Sequence, residues 1–321
     1  MQARLFMHNS KILIITILII CLIPSLGMIV APSSAAGNEI LSPEPELNID
    51  LLKDAGNWVN DHFALRQQMI TLWSKFNDFI FKTSAEDQVV LGKEQNLFYA
   101  KDFENVLTET DFENIALHLL EIQTEVESKG SEFIFTIAPD KSSIKSDLLP
   151  ENLVHPGTAY AIEPYLEKYG INYVNLFDLD LPYFVTDSHF TNYGGALVCD
   201  ALIGSDYSKR DFSIENTHTG DLYEMLYPSG TLTEENNECE LNYKAKGFVN
   251  GGNAITIETE SDGEGTLYCW RDSFGIYFYP FLADAFEYAT FSRDVKFDVN
   301  SIGDADVVIL EIVERNLSYL K

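Results

Sequence analysis

Two short segments of the sequence carry the side-chain types of a Ser-His-Asp acyl-transfer site. They are Asp187-Ser188-His189-Phe190-Thr191 and Trp270-Arg271-Asp272-Ser273-Phe274-Gly275. A serine hydroxyl becomes a nucleophile when a base removes its proton, and histidine is the natural base near neutral pH. An aspartate two positions before the histidine can hold one ring nitrogen and leave the other free to accept that proton. The segments are therefore candidates for a triad, although each alone could also be a helix cap.

Ser273 falls at a predicted turn between a strand and a helix. Leu267–Trp270 reads as the strand, and Phe274-Gly275-Ile276 opens the helix. Backbone N–H groups and the positive end of the helix dipole converge at such a turn. The N–H groups near Phe274 and Gly275 could therefore stabilise an oxyanion. The start of a helix also favours a serine that only caps it, so Ser273 could instead be an N-cap residue.

The other histidines have ordinary surroundings, with one exception. His218 lies in Thr217-His218-Thr219-Gly220-Asp221-Leu222, a predicted loop that could line a cleft. His62, beside Asp61 at a helix start, and His155, before Pro156, need no catalytic role.

The elements around these segments alternate between amphipathic helices and buried strands. This rhythm predicts an α/β fold with a mostly parallel central sheet and helices on both of its faces. The segment 205–252 has the least readable pattern. The predicted helices are Trp58–Phe81, Asp111–Lys129, Tyr160–Lys168, Thr191–Ile203 and Ile276–Ala285. The predicted strands are Gln88–Leu91, Leu97–Tyr99, Glu132–Ala138, Ile171–Phe177, Ala254–Glu260, Thr266–Trp270 and Asp306–Val313.

The N-terminal 36 residues predict export. Ile12–Val30 is an almost uninterrupted apolar run preceded by Arg4 and Lys11, long enough to span a bilayer. Pro24, with Gly27, interrupts the run, and small residues follow at 33–36 as a signal peptidase prefers. A cleaved signal peptide and an uncleaved membrane anchor both remain open. Either places the rest of the chain outside the cytoplasm.

The remaining organisation follows from composition. Residues 37–56 read as a polar linker, and residues 57–321 read as one large domain. The formal net charge of -29 excludes nucleic acid as a partner, because phosphate binding requires a basic surface. Beyond the leader the cysteines are Cys199, Cys239 and Cys269, which allow at most one internal disulfide, and no zinc spacing is present.

Several separated blocks, taken in order, resemble the SGNH-hydrolase-like polysaccharide O-acetyltransferases of the alginate acetylation type, including the group named for a DHHW motif. The match spans nearly all of the chain beyond the leader. Besides the two segments above, the matching blocks are Asn60-Asp61-His62-Phe63-Ala64-Leu65-Arg66, Val89–Tyr99, Phe135-Thr136-Ile137-Ala138-Pro139-Asp140-Lys141 with Leu149-Pro150, Gly220-Asp221-Leu222, and Val313-Glu314-Arg315.

This resemblance implies a three-layer SGNH-hydrolase-like fold in which Asp-x-His precedes the nucleophile. It implies Ser273 as nucleophile, His189 as general base and Asp187 as its orienting partner. It also implies a polysaccharide acceptor, an acetyl donor supplied by a membrane-bound O-acyltransferase, and no metal or organic cofactor. The sequence departs from the family at Phe190, where a tryptophan is usual.

Two alternatives of different kinds remain open. The same triad with water as the acceptor would be a carbohydrate esterase, because transfer and hydrolysis differ only in the hydroxyl that reaches the acyl-enzyme. A non-catalytic envelope protein that binds glycan or scaffolds an acetylation complex is the second alternative. The identity of the polysaccharide and of the acetylated hydroxyl does not follow from the sequence.

Overall fold

The computed structural model describes residues 41–45, 51–104, 106–246 and 255–321, without the side chain of Leu51. The predicted leader lies outside these residues, as does part of the predicted linker. Among the described residues, no helix combines the length and apolarity needed to cross a bilayer. The chain divides into two compact units, Met1–Asp87 with Tyr223–Leu232, and Gln88–Leu222 with Thr233–Lys321.

The smaller unit is helical in its described part. Helix α1 (Leu51–His62) and helix α2 (Arg66–Phe81) replace the single helix predicted over Trp58–Phe81, so that prediction was wrong. The break occurs at Leu65, which adopts the left-handed conformation with φ 66°. The apolar periodicity continues across this break, and for that reason the sequence pattern does not reveal it.

The remaining elements alternate along the chain as the periodicity indicates. The helices are α3 (Glu109–Ser128), α4 (Lys141–Ile144), α5 (Thr158–Tyr169), α6 (Asn192–Ile203), α7 (Asp221–Leu226) and α8 (Tyr279–Ala285). The strands are β1 (Val89–Leu91), β2 (Leu97–Tyr99), β3 (Glu132–Ala138), β4 (Tyr173–Val174), β5 (Ser213–His218), β6 (Glu234–Glu238), β7 (Tyr243–Lys246), β8 (Thr256–Ser261), β9 (Thr266–Trp270), β10 (Tyr288–Ser292) and β11 (Val307–Val313).

A seven-stranded sheet forms the centre of the larger unit, in the order β4-β3-β11-β9-β10-β8-β7. The first five strands are mutually parallel, and β8 runs antiparallel to both β10 and β7. One hydrophobic core lies between the sheet and helices α3 and α5, and a second lies between the sheet and helices α6 and α8. The predicted α/β fold class, with a mostly parallel sheet flanked by helices, is confirmed.

The edge strand β4 is much shorter than the strand predicted over Ile171–Phe177. Two asparagine side chains take over backbone hydrogen bonds on either side of it. Asn172 Nδ2 donates to Phe133 O at 2.7 Å, and Phe177 N donates to Asn175 Oδ1 at 2.8 Å. Such local side-chain bonds compete with strand pairing, which explains the early end of the ladder.

Candidate active site

The loop between β4 and α6 carries Asp187 and His189, and the turn after β9 carries Ser273. Thr191 caps α6 by accepting a hydrogen bond from Gly194 N at 3.2 Å, so neither Asp187 nor His189 serves as that cap. Ser273 lies three residues after the end of β9 and makes no capping hydrogen bond. Because β9 lies in the parallel part of the sheet, its carboxyl end places Ser273 at the edge where ligands bind in open α/β sheets.

Asp187, His189 and Ser273 form a continuous hydrogen-bonded chain. His189 Nδ1 lies 2.7 Å from Asp187 Oδ1, and His189 Nε2 lies 3.1 Å from Ser273 Oγ. The carboxylate is acceptor-only, so Nδ1 donates to it and Nε2 is left as the acceptor for the serine hydroxyl. The structure thus brings together the three residues that the sequence singles out, in the arrangement needed for proton transfer from serine to histidine.

The Asp187 carboxylate is buried and accepts hydrogen bonds on both oxygens. His189 N donates to Oδ1 at 3.0 Å, while His218 Nε2 and Asp221 N donate to Oδ2 at 2.8 and 3.2 Å. Burial alone would raise the pKa of Asp187, but the charge of His189 and these hydrogen bonds outweigh it. The pKa of Asp187 therefore lies well below its usual range, and the group stays ionised beside His189.

The pKa of His189 is displaced in the opposite direction. Burial would lower it, but the negative charge of Asp187, its hydrogen bond and the nearby Asp221 carboxylate raise it above the ordinary value of 6.5. Asp221 Oδ2 lies 3.7 Å from His189 Nδ1. Burial and the charge of Asp187 raise the pKa of Asp221 to about 6. Two carboxylates thus strengthen His189 as a base.

His218 is the site residue that sequence reasoning recognised only as a possible cleft residue. It ends β5, where an irregularity in the pairing with β6 falls between Asn216 and His218. Its ring stacks on Phe184 with the centroids 3.7 Å apart, which fixes the ring plane, and its Nε2 contacts Asp187 Oδ2. The signal available in the sequence was its position two residues before the Gly220-Asp221-Leu222 block, which resembles the family.

The Gly220-Asp221 turn reaches Asp187 because residue 220 lacks a side chain. A Cβ at Gly220 would lie 2.2 Å from Thr186 O, which no real side chain tolerates. This close approach lets Asp221 donate its N–H to Asp187 and accept hydrogen bonds from Ser188 N and Ser188 Oγ at 3.0 and 2.9 Å. The matching Gly-Asp-Leu block therefore has a physical role in shaping the site.

Lys141 is a buried cation that fixes the loop behind Asp187. Its Nζ donates to the carbonyl oxygens of Leu97, Val185 and Asp187 at 2.8, 2.7 and 3.2 Å. Burial lowers the pKa of Lys141 to about 8, against nearby carboxylates that raise it. The lysine of the Pro-Asp-Lys block thus holds the backbone that carries the candidate triad acid.

The backbone N–H of Phe274 is engaged in the structure. It donates to Asp272 Oδ1 at 2.9 Å, while Asp272 Oδ2 accepts from Val313 N at 2.8 Å. These bonds tie the serine turn to the end of β11. The oxyanion assignment to Phe274 and Gly275 stays a prediction, and Gly275 N–H is the better candidate because Phe274 N–H already has an acceptor.

A cluster of buried charged side chains packs against the turn that carries Ser273. Arg315 Nη1 contacts Asp140 Oδ1 at 2.5 Å and Asp102 Oδ1 at 3.3 Å, and its guanidinium lies 5.1 Å from the centre of the Phe274 ring. Phe190 is also fully buried, with its ring 5.4 Å from that of Phe274. Phe190 therefore packs beneath the site, and the change from the usual tryptophan is a change in the core.

Beside this cluster, Asp140, His155 and Glu314 are close enough to be considered as metal ligands. His155 Nδ1 accepts a hydrogen bond from Gly157 N at 3.0 Å. The neutral ring therefore carries its proton on Nε2, the nitrogen that faces both carboxylates, and that nitrogen has no lone pair for a metal. The arrangement suits a histidine held between two acids. Among the described residues, Cys199, Cys239 and Cys269 are free thiols.

Comparison with solved structures shows that this fold is shared by several bacterial proteins. The O-acetyltransferase domain of Pseudomonas putida AlgJ aligns with a TM-score of 0.51 at 16% identity, over 72% of this chain and 92% of that domain. A DHHW family protein from Eubacterium siraeum aligns with a TM-score of 0.52 at 16% identity, over 72% and 95% of the two chains. Bacillus cereus PatB1 aligns with a TM-score of 0.55 at 15% identity, over 72% and 98%.

These matches confirm the resemblance at the level of the fold. No protein-family model matches the chain, and no curated protein sequence matches it. At such low identities the likeness establishes the fold alone. The activity must be argued from the site itself.

Proposed function

We propose that this chain is an extracytoplasmic O-acetyltransferase that moves an acetyl group through a Ser273 acyl-enzyme onto hydroxyls of an exopolysaccharide or cell-wall glycan. The observation that carries the proposal is the hydrogen-bonded chain from Asp187 through His189 to Ser273. The fold that positions these three residues is also the fold of the O-acetyltransferase domain of Pseudomonas putida AlgJ.

In the first half-reaction, Ser273 Oγ attacks the carbonyl carbon of the acetyl donor. His189 Nε2 takes the hydroxyl proton as the new ester bond forms, and Asp187 stabilises the resulting imidazolium. Gly275 N–H donates a hydrogen bond to the developing oxyanion. Phe274 N–H is shared between the oxyanion and the carboxylate of Asp272. The leaving group then departs with the proton from His189.

In the second half-reaction, a sugar hydroxyl takes the place of the leaving group. His189, neutral again, removes the hydroxyl proton as the oxygen attacks the acyl-enzyme. The bond between the acetyl carbon and Ser273 Oγ breaks, and the serine recovers its proton from His189. The product is an acetylated glycan and a regenerated enzyme.

Three further elements of the proposal rest on the sequence. Residues 1–36 act as a signal peptide or membrane anchor, residues 37–56 as a linker whose last six residues begin helix α1, and residues 57–321 as the catalytic part. Export separates the site from cytoplasmic acetyl donors, so a membrane-bound O-acyltransferase supplies the acetyl group. The triad chemistry needs no metal or organic cofactor.

An acceptor-dependence assay separates transfer from hydrolysis. The purified chain is given a chromogenic acetyl ester with and without a soluble oligosaccharide. We expect acetylated oligosaccharide to appear, with faster release of the chromophore when the acceptor is present. Hydrolysis that no acceptor alters would overturn the transferase proposal and favour the esterase alternative.

The pH dependence of the reaction should reflect the raised pKa of His189. Protonated His189 cannot accept the serine proton, so the rate should fall as the pH drops, with a midpoint above 6.5. Asp221→Asn removes one of the negative charges that raise this pKa, and the midpoint should move to lower pH. Initial rates of chromogenic ester cleavage across the pH range measure both midpoints. A midpoint below 6.5 in the unaltered chain, or one that Asp221→Asn leaves in place, contradicts this account of His189.

A further inference from the structure

Helix α2 has its apolar face exposed and its polar face buried. Six large apolar side chains form a stripe along it, each 44% or more exposed: Met69, Leu72, Trp73, Phe76, Phe79 and Ile80. The buried residues of the helix are Thr71 and Ser74. At 3.6 residues per turn, these two polar residues lie on the side opposite the stripe.

The buried side of α2 is fixed by specific contacts within the smaller unit. Thr71 Oγ1 accepts hydrogen bonds from Ser229 N and Ser229 Oγ at 3.0 and 2.9 Å. These contacts set the rotation of the helix about its own axis, so the stripe is directed outward by packing on the other side. An exposed apolar surface of this extent marks an interaction site.

Charge around the stripe indicates the kind of partner. Residues 63–82 contain Arg66, Lys75 and Lys82 against the single acid Asp78, in a chain whose net charge is -29. Arg66 and Lys75 lie on the two borders of the stripe. An aromatic-rich apolar face bordered by basic residues is typical of helices that lie in the interface of a bilayer, where cations meet lipid phosphates.

The apolar surface also extends sideways into a cleft. This cleft has a volume of about 470 Å³. Its lining includes Met69, Ile70 and Trp73 of α2, together with Phe63 and Met225. A second copy of the chain is a poorer partner, because a two-fold contact would set the basic borders of the two helices against each other.

We propose that the exposed stripe of α2 lies in the surface of a phospholipid bilayer. Ser42 hydrogen-bonds to Asp61 of α1, so residues 31–41 separate the apolar run Ile12–Val30 from the smaller unit and span at most about 40 Å when extended. A bilayer that holds this run is therefore within reach of α2. The interface would hold the smaller unit at the membrane independently of the chemistry at Ser273.

Fluorescence quenching by brominated lipids tests this placement in the full chain. The protein is reconstituted into nanodiscs of phosphatidylethanolamine and phosphatidylglycerol whose acyl chains carry bromine close to the glycerol end. We expect loss of Trp73 emission, so the quenched component should be absent in Trp73→Phe and retained in Trp58→Phe. A quenched component that survives Trp73→Phe overturns the proposal.

Charge substitutions supply an independent comparison at exposed positions. Leu72→Glu with Phe79→Glu places acids in the stripe, and Asn57→Glu with Thr83→Glu adds the same charge at exposed positions outside it. The first pair should abolish quenching of Trp73 and the second should preserve it, with unchanged circular dichroism and melting temperature in both. A dimer in sedimentation that the first pair dissociates, without lipid quenching, would instead assign the stripe to a second copy.

Discussion

Replacing Ser273 with alanine should abolish acetyl transfer, with a fall in rate of at least about 10⁴-fold, as expected when the nucleophile of a triad is removed. The substitution removes one oxygen atom from a half-buried side chain, and the fold should be unaffected. His189 would keep its contact with Asp187 but would have no hydroxyl to deprotonate. Chromogenic ester cleavage and labelling by a serine-directed fluorophosphonate measure the loss.

A matched control is available at Ser301, a serine in another turn of the same unit. Ser301→Ala should retain both ester cleavage and fluorophosphonate labelling, because Ser301 lies in a short 3₁₀ helix outside the site. Ester cleavage no faster than the uncatalysed background in both the unaltered chain and Ser273→Ala, with neither reacting with the fluorophosphonate, would remove the triad assignment. The non-catalytic glycan-binding alternative would then be preferred.

His218 should be the second most sensitive position, acting through Asp187 as a positioning residue. His218→Phe preserves the ring that stacks on Phe184 but removes the N–H that holds Asp187 Oδ2. We expect a loss of activity of about tenfold or more, since small displacements of a catalytic group can cost up to about a hundredfold. The rate of ester cleavage at a pH above the midpoint of His189 measures the loss.

His218→Gln is the matched variant, because its amide can place an N–H near the position of the histidine Nε2–H. It should recover most of the activity that His218→Phe loses. A purely structural role would give the reverse order, since phenylalanine replaces the stacked ring better than glutamine does. Equal losses in the two variants contradict the positioning role.

Two of the parallel strands, β3 and β9, could be predicted from the sequence to the residue, and β11 to within one residue. Glu132–Ala138 and Thr266–Trp270 match β3 and β9 because strands buried on both faces are continuous apolar runs with sharp ends. Strand β10 (Tyr288–Ser292) was not predicted. Its short run of mixed polarity depends on pairing with β8 and β9 for its definition.

The triad could be predicted because its parts lie in short local segments, whereas its supports could not. Asp187 and His189 are two positions apart, and Ser273 follows a strand that the pattern reveals. Lys141 and His218 reach Asp187 from distant parts of the chain, so only the folded sheet edge brings them together. The engagement of Phe274 N–H by Asp272 likewise depends on how the turn closes against β11.

Direct observation of the acyl-enzyme tests the central claim that Ser273 carries the acetyl group. The chain is mixed with an activated acetyl ester, quenched in acid within the first turnover and digested for peptide mass spectrometry. We predict one acetyl group on the peptide that contains Ser273, and its transfer to an oligosaccharide added before the quench. Acetylation of other residues only, or transfer to the glycan with Ser273 unmodified throughout, would contradict it.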